Sequence, residues 1–289
     1  MKAITVIATG SQGSSVVRFL AKDGNFEIRV VAKDNNSSLA NSLPSIGTNI
    51  KLFRYENLDE ALKDAYGAFL VANYSLNQKS IEDSGRELID AAVRNKVKHV
   101  IWSSDYDSGA LSNGEIRLPK FDTKHDVEEY AKLIRDGPTF TFLHPALYLQ
   151  NLYTSLKPVQ KDGKVLLSLP VPETAKLSFT DIDEFGAVAV GIFNNTDSYK
   201  DADIMVVNGV ITPVELASLL SAQSGLEIQF KEDQEAFNNE KKEIGDIIRF
   251  YEKFVSRDQT ASRKLYPEMK DINKWIQTCG VNWKELIQG

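Results

Sequence analysis

The chain has 289 residues, 42% of them hydrophobic and 26% charged, with a formal net charge of -6. That length and mixture suit one large or two coupled α/β units with a sizeable core, and exclude disorder of the whole chain. A mildly acidic chain is a poor match to a direct nucleic-acid binder, which would normally show a basic face.

The single cysteine, Cys279, cannot form an intramolecular disulfide, which fits a reducing compartment. The first apolar run is too short for a signal peptide, and no run reaches the ~18 residues of a membrane span. The expected location is the cytoplasm, with the nucleus also open.

In chain order, short β-branched apolar runs alternate with stretches of helical spacing over the first 150 residues. Ile4–Ala8, Ile28–Ala32, Ile50–Phe53, Ala68–Val71, His99–Trp102 and Thr139–Leu143 read as buried parallel strands. Ser11–Lys22, Leu76–Asn95 and Thr123–Arg135 each place apolar residues on one face, as an amphipathic helix does. The basic stretch Arg94–His99 reads as a solvated helix end, with cations facing the negative end of the dipole. This alternation predicts a Rossmann-type, doubly wound parallel sheet over 1–150.

Beyond Pro145 the pattern loosens into a smaller, mainly helical α/β subdomain over 151–289, with some exchange of segments between the halves. A short helix is expected over Tyr148–Leu156, a turn at Lys161–Lys164, and strands at Val165–Leu169, Lys176–Thr180 and Ile204–Asn208. A helix over Asp181–Phe193 would have Asp181 as its cap. Thr212-Pro213-Val214-Glu215 carries the signature of a helix start. Ile244, Ile247, Ile248, Tyr251 and Val255 form a later apolar stripe, and Phe237–Lys242 reads as a polar surface connection.

The first strand runs into Ala8-Thr9-Gly10-Ser11-Gln12-Gly13. Pyrophosphate binding at a helix start needs backbone N–H groups aimed at the anion and no side chain in the way, which glycines provide. Thr9, Gly10, Ser11, Gln12 and Gly13 are therefore candidate dinucleotide contacts. The extended dehydrogenase pattern would add a glycine at position 7, where Ile7 stands.

With Ala-Thr-Gly-x-Gln-Gly in this place, the chain resembles the NmrA-like branch of the short-chain dehydrogenase group, some members of which also lack the first glycine. The resemblance extends through Val71-Ala72-Asn73-Tyr74, Ser84-Gly85-Arg86-Glu87-Leu88, Lys120–Tyr130, His144–Leu152 and Leu265–Ile276. It implies that Asn73 and Tyr74 pass along the cofactor's phosphates and ribose. It places Arg86 toward the cofactor, although an exposed helix charge explains Arg86 equally well. It gives Lys124 the ribose hydroxyls, and sends the loop with Tyr148, Gln150 and Asn151 past the nicotinamide.

Lys33, at the end of the second strand, stands where NADP-preferring members carry arginine. NADP(H) is favoured over NAD(H), although Asp34 beside Lys33 would repel a 2′-phosphate and a solvated loop lysine is the alternative.

Carbonyl-reducing relatives use Tyr-x-x-x-Lys, the tyrosine protonating the alkoxide. Here Lys120 occupies the tyrosine position and Lys124 the lysine position, so Lys124 is the one catalytic candidate. Tyr74, Tyr106 and Tyr148 read as core or rim aromatics. No metal-ligand pattern is present, and His99, His125 and His144 read as structural.

Two functions remain. One is an NAD(P)-binding redox or cofactor sensor that acts through a protein partner such as a transcription regulator. The other is an NADPH-dependent reductase of a quinone, enone or related small electrophile. A scaffold that has lost its cofactor is a third reading, resting on Ile7.

Overall fold

Lys2–Ile7 forms strand β1, buried at every position after Lys2. In the computed structural model, residues 1–8, 10–32, 45–47, 49–72, 79–238 and 241–289 are described. They divide into two compact units. The first comprises Met1–Asp107, Pro119–His144 and Ile182–Ile204; the second comprises Ser108–Leu118, Pro145–Asp181 and Met205–Gly289.

In the first unit β1 is followed by helix α1 (Ser11–Asp23), β2 (Phe26–Ala32), β3 (Ile50–Arg54), α2 (Leu58–Leu62), β4 (Gly67–Leu70), α3 (Ile81–Arg94) and β5 (His99–Ser103). After the short α4 (Ser108–Leu111), which belongs to the second unit, come α5 (Pro119–Lys132) and β6 (Thr139–Pro145). Later segments add β7 (Leu147–Tyr148), β8 (Val159–Lys161), β9 (Lys164–Leu169), β10 (Leu177–Thr180), α6 (Phe185–Asn194) and β11 (Ala202–Val206).

The main sheet runs β11-β6-β5-β4-β1-β2-β3. β1 pairs in parallel with both β2 and β4, from Lys2↔Phe26 and Ile4↔Gly67 onward. β2–β3, β4–β5 and β5–β6 are parallel too. Strand order therefore reverses on either side of β1, which opens a crevice at the carboxyl ends of β1 and β4, the usual ligand position in such sheets. The continuous apolar runs follow from this burial: Ile4, Val6, Val30, Phe69 and Ile101 have no exposed surface.

At two of the described glycines an added Cβ would run into the backbone of a neighbouring element. A Cβ at Gly186 in α6 would lie 2.3 Å from the carbonyl oxygen of Ser15 in α1, so only glycine lets these helices cross so closely. Ser15 Oγ reinforces the crossing by donating to the Asp183 carbonyl at 2.7 Å and accepting from the Gly186 N–H at 2.9 Å. The other such glycine, Gly13, belongs to the candidate site.

The second unit continues with β12 (Gly209–Ile211), α7 (Pro213–Ser224), β13 (Ile228–Glu232), α8 (Lys242–Phe254), α9 (Thr260–Leu265), α10 (Ile272–Thr278) and α11 (Trp283–Gln288). It contains two three-stranded sheets, β12-β10-β7 and β13-β9-β8. α7 begins with the expected capping box: Thr212 and Glu215 satisfy each other's backbone N–H, and Pro213 follows the cap. No helix among the described residues is long and apolar enough to cross a membrane.

Several expectations need correction. The helix expected over Tyr148–Leu156 is instead β7 followed by a 3₁₀ stretch over Leu149–Tyr153, because Leu147 and Tyr148 pair with Phe179 and Thr180 of β10. Asp181 does not cap the following helix, which starts at Phe185. Its carboxylate is buried and accepts from Gln150 Nε2 at 2.7 Å, while its N–H donates to Asn208 Oδ1 at 2.8 Å. Phe237 is not on a surface connection; it is buried against Gly245 of α8. The helix expected from Thr123 starts four residues earlier, at Pro119, which suits a first turn. The helix expected from Leu76 is capped at Ser80, whose hydroxyl accepts from the Asp83 N–H; residues 76–78 lie outside the described residues.

Candidate functional site

At the carboxyl end of β1, Gly10 is the N-cap of α1, with extended backbone at φ -155° and ψ -173°. The helix has no capping side chain among the described residues and no acid in its first turn. Its first N–H groups and the positive end of its dipole therefore suit an anion. Among the described residues, a Cβ on Gly10 would meet nothing within 4 Å, so none of them blocks the approach to these groups.

Gly13 does the opposite work. A Cβ there would sit 2.3 Å from the Ile7 carbonyl oxygen and 2.6 Å from Ala8 Cα. Its absence lets α1 lie directly on β1. Ile7 is fully buried, so its side chain is committed to the core. That explains how a bulky residue is accommodated where the longer glycine pattern would have a third glycine.

Ser11 is exposed at the first helical position. Gln12 is buried, and its Oε1 accepts a 2.7 Å hydrogen bond from Ser103 Oγ at the end of β5. Two residues further on, Asp105 Oδ2 receives Lys124 Nζ at 2.8 Å, with the side chains only 6% and 16% exposed. Trp102 Nε1 donates to the Lys124 carbonyl at 3.2 Å and fixes that turn of α5.

The end of β5 thus holds both the start of α1, through Ser103, and Lys124, through Asp105. Sequence reasoning missed Ser103 and Asp105. Their signal was position, since both directly follow or end a central parallel strand. The charge-assisted bond between Asp105 and Lys124 presents a positioned cation. Lys120, in the tyrosine place, is exposed.

Thr9, Lys33, Asn73 and Tyr74 lie outside the described residues. Arg86 pairs with Glu82 one turn back on α3, at 2.9 Å, and lies 4.6 Å from the centroid of the Tyr130 ring of α5. In the second unit, Tyr148 is half-buried in β7. Asn151 is half-buried in the 3₁₀ stretch, its carbonyl accepting from the Thr154 and Leu156 N–H groups.

Tyr106 stacks on His144, centroids 4.7 Å apart. Burial, followed by the charges of Asp105, Asp203 and Glu128, pushes its phenol above the ordinary value of 10.0. A phenol held this way is a poor acid, which argues against Tyr106 as a replacement for the missing tyrosine. His99 is buried in β5 between Thr139 and Thr141, at 2.7 and 3.0 Å from Nδ1 and Nε2. Burial, partly opposed by Asp201 and Asp197, pulls its imidazole down to about 4.

The family model described as the NmrA-like family matches residues 1–276. An NmrA-like family domain-containing protein of Dictyostelium discoideum is 26% identical over 241 residues, covering 80% of each chain. An NmrA-like family domain-containing oxidoreductase of Cladobotryum sp is 29% identical over 226 residues, covering 70% of this chain and 66% of the relative. Among solved structures, the negative transcriptional regulator NmrA in complex with NADP matches with a TM-score of 0.78, and its NAD complex with 0.79. Those matches are 20% and 21% identical, and each covers 98% of both chains.

Proposed function

The chain belongs to the NmrA-like family, and we propose that its first unit binds a nicotinamide dinucleotide at the Gly10–Gly13 turn. The observation that carries this is the uncapped, acid-free start of α1, with no described residue within 4 Å of a Cβ on Gly10. The backbone N–H groups of Ser11, Gln12 and Gly13 would take the pyrophosphate, and Lys124, held by Asp105, would take the ribose hydroxyls. When bound, the dinucleotide supplies a hydride donor or acceptor. NADP(H) is favoured over NAD(H) on Lys33. Structures of the regulator NmrA with each dinucleotide support the class without deciding the preference.

The use we favour is sensing: the cofactor pool would be read by differential binding and passed to a protein partner, with the second unit as the partner or substrate surface. Two features favour sensing over carbonyl reduction. No tyrosine precedes Lys124 at the required spacing, and Tyr106 is a weak acid.

A second reading, an NAD(P)H-dependent reductase of a small electrophile, is favoured by relatives named oxidoreductases, such as that of Cladobotryum sp. In that case Lys124 would polarise the acceptor. Lys124→Ala separates the two. It abolishes NAD(P)H-dependent turnover of quinone and enone acceptors if the protein is a reductase. It only weakens dinucleotide binding, with no turnover in either form, if the protein is a sensor. Unchanged binding would remove Lys124 from the site.

A further inference from the structure

One buried polar group plays no part in the dinucleotide site. Glu128 on α5, His144 in β6 and Asp203 on β11 converge within the first unit. His144 Nε2 lies 3.4 Å from Asp203 Oδ1 and 3.6 Å from Glu128 Oε2, and the three donor atoms lie within 4.8 Å of one another. The Glu128 and His144 side chains are 2% and 5% exposed.

These contacts are poor as hydrogen bonds. At 3.6 Å there is no bond, and 3.4 Å is beyond the usual range. Glu128 Oε2 and His144 Nδ1 are buried with no hydrogen-bond partner among the described residues. A buried carboxylate oxygen left unpaired beside an imidazole is costly and calls for a ligand. The spacing also has a direct meaning. A tetrahedral ion with bonds of about 2.0–2.2 Å holds its ligands roughly 3.3–3.6 Å apart, which the two separations from His144 Nε2, 3.4 and 3.6 Å, match.

We propose that Glu128 Oε2, His144 Nε2 and Asp203 Oδ1 form a binding site for a divalent cation of the zinc class, with water in the fourth position. One imidazole and two carboxylates suit zinc better than calcium or magnesium, which take six or more oxygens. Asp203 is 55% exposed and provides the entry path.

The charge balance permits an ion. Lys132 Nζ takes the other oxygen of Glu128, Oε1, at 2.6 Å, and also Glu129 at 3.0 Å; it lies 4.0 Å from Asp203. It leaves Oε2 facing His144. His125 approaches Glu128 Oε1 at 4.0 Å and Glu129 at 3.8 Å, a more exposed arrangement that shares the oxygen Lys132 already holds. Tyr106 covers one face of His144. The ion would tie α5, the helix that carries Lys124, to β6 and β11. Three ligands at positions 128, 144 and 203 have no sequence spacing to betray them.

The test is calorimetric titration of chelator-stripped protein with Zn²⁺, and with Co²⁺ for its visible spectrum. One ion per chain and the absorption of four-coordinate cobalt are expected, with affinity reduced at least ~100-fold in Asp203→Asn and His144→Gln. Lys132→Met should bind more tightly, because a competing cation is gone. Zn²⁺ should raise the melting temperature of wild type but not of Asp203→Asn, whose exposed position spares the fold. Absence of stoichiometric binding would overturn the proposal. So would binding that survives Asp203→Asn but is lost in His125→Ala, which would put the ion on the outer group. Dinucleotide binding is not read in this test, so the two proposals fail separately.

Discussion

His99 gives the first unit a calculable sensitivity to acid. In the unfolded chain its imidazole titrates near 6.5, and in the fold near 4 because it is buried. Between these values the unfolded state binds the extra proton, so stability is full above about 6.5 and falls as pH drops toward 4. The total loss is about 3 kcal/mol, from a difference of about 2.5 pH units at 1.36 kcal/mol each, and roughly 2 kcal/mol of it falls between about pH 7 and about pH 5. Urea unfolding at the two pH values, in wild type and His99→Gln, isolates the contribution. The variant loses a hydrogen-bonded core residue and is weaker at both, but its pH dependence should be flatter by about 2 kcal/mol. Equal pH dependence in the two proteins would show that His99 is not buried as a neutral ring, and that the register of β5 against β6 is wrong at this point.

The two turn glycines should behave differently. Gly13→Ala forces a methyl into the Ile7 carbonyl and should cost about 2 kcal/mol or more in unfolding free energy, with loss of dinucleotide binding. Gly10→Ala meets no described residue within 4 Å and keeps extended backbone, so it should hold its melting temperature within a degree or two of wild type. For the Asp105–Lys124 pair, Asp105→Asn leaves a mostly buried ammonium without its carboxylate. It should lower stability by up to about 3 kcal/mol and weaken dinucleotide binding, whereas the double variant with Lys124→Met should recover part of the stability. Denaturant unfolding of the three proteins checks this; a double variant no better than Asp105→Asn would show that the pair is not coupled.

The strands of the sheet were legible because a parallel strand buried on both faces reads as a near-continuous apolar run, as Val30–Ala32 and Val100–Trp102 do. The Thr212–Glu215 capping box was equally plain, since both partners lie within four residues. What stayed hidden was set by distant partners. Asp181 looked like a cap, but is buried and held by Gln150 and Asn208. Gly186 carries no local signal of its close approach to Ser15, 171 residues away. In the candidate site, the Gly10–Gly13 turn could be read from its place after the first strand, and Lys124 from the resemblance to the NmrA-like family. The clamp through Ser103 and Asp105 could not, because it exists only once β5 is placed beside α1 and α5.

The central claim is that α1 offers its N-terminus to a dinucleotide. The direct measurement is parallel calorimetric titration of wild type and Gly10→Glu with NADP, NADPH, NAD and NADH. Glutamate fits the extended backbone at position 10 and would bring a carboxylate to the anion position. The expected result is binding of one redox pair by wild type, stronger for the phosphorylated pair if Lys33 meets the 2′-phosphate, and loss of that binding in a folded Gly10→Glu. Binding of none of the four by wild type, or binding untouched by Gly10→Glu, would contradict the claim.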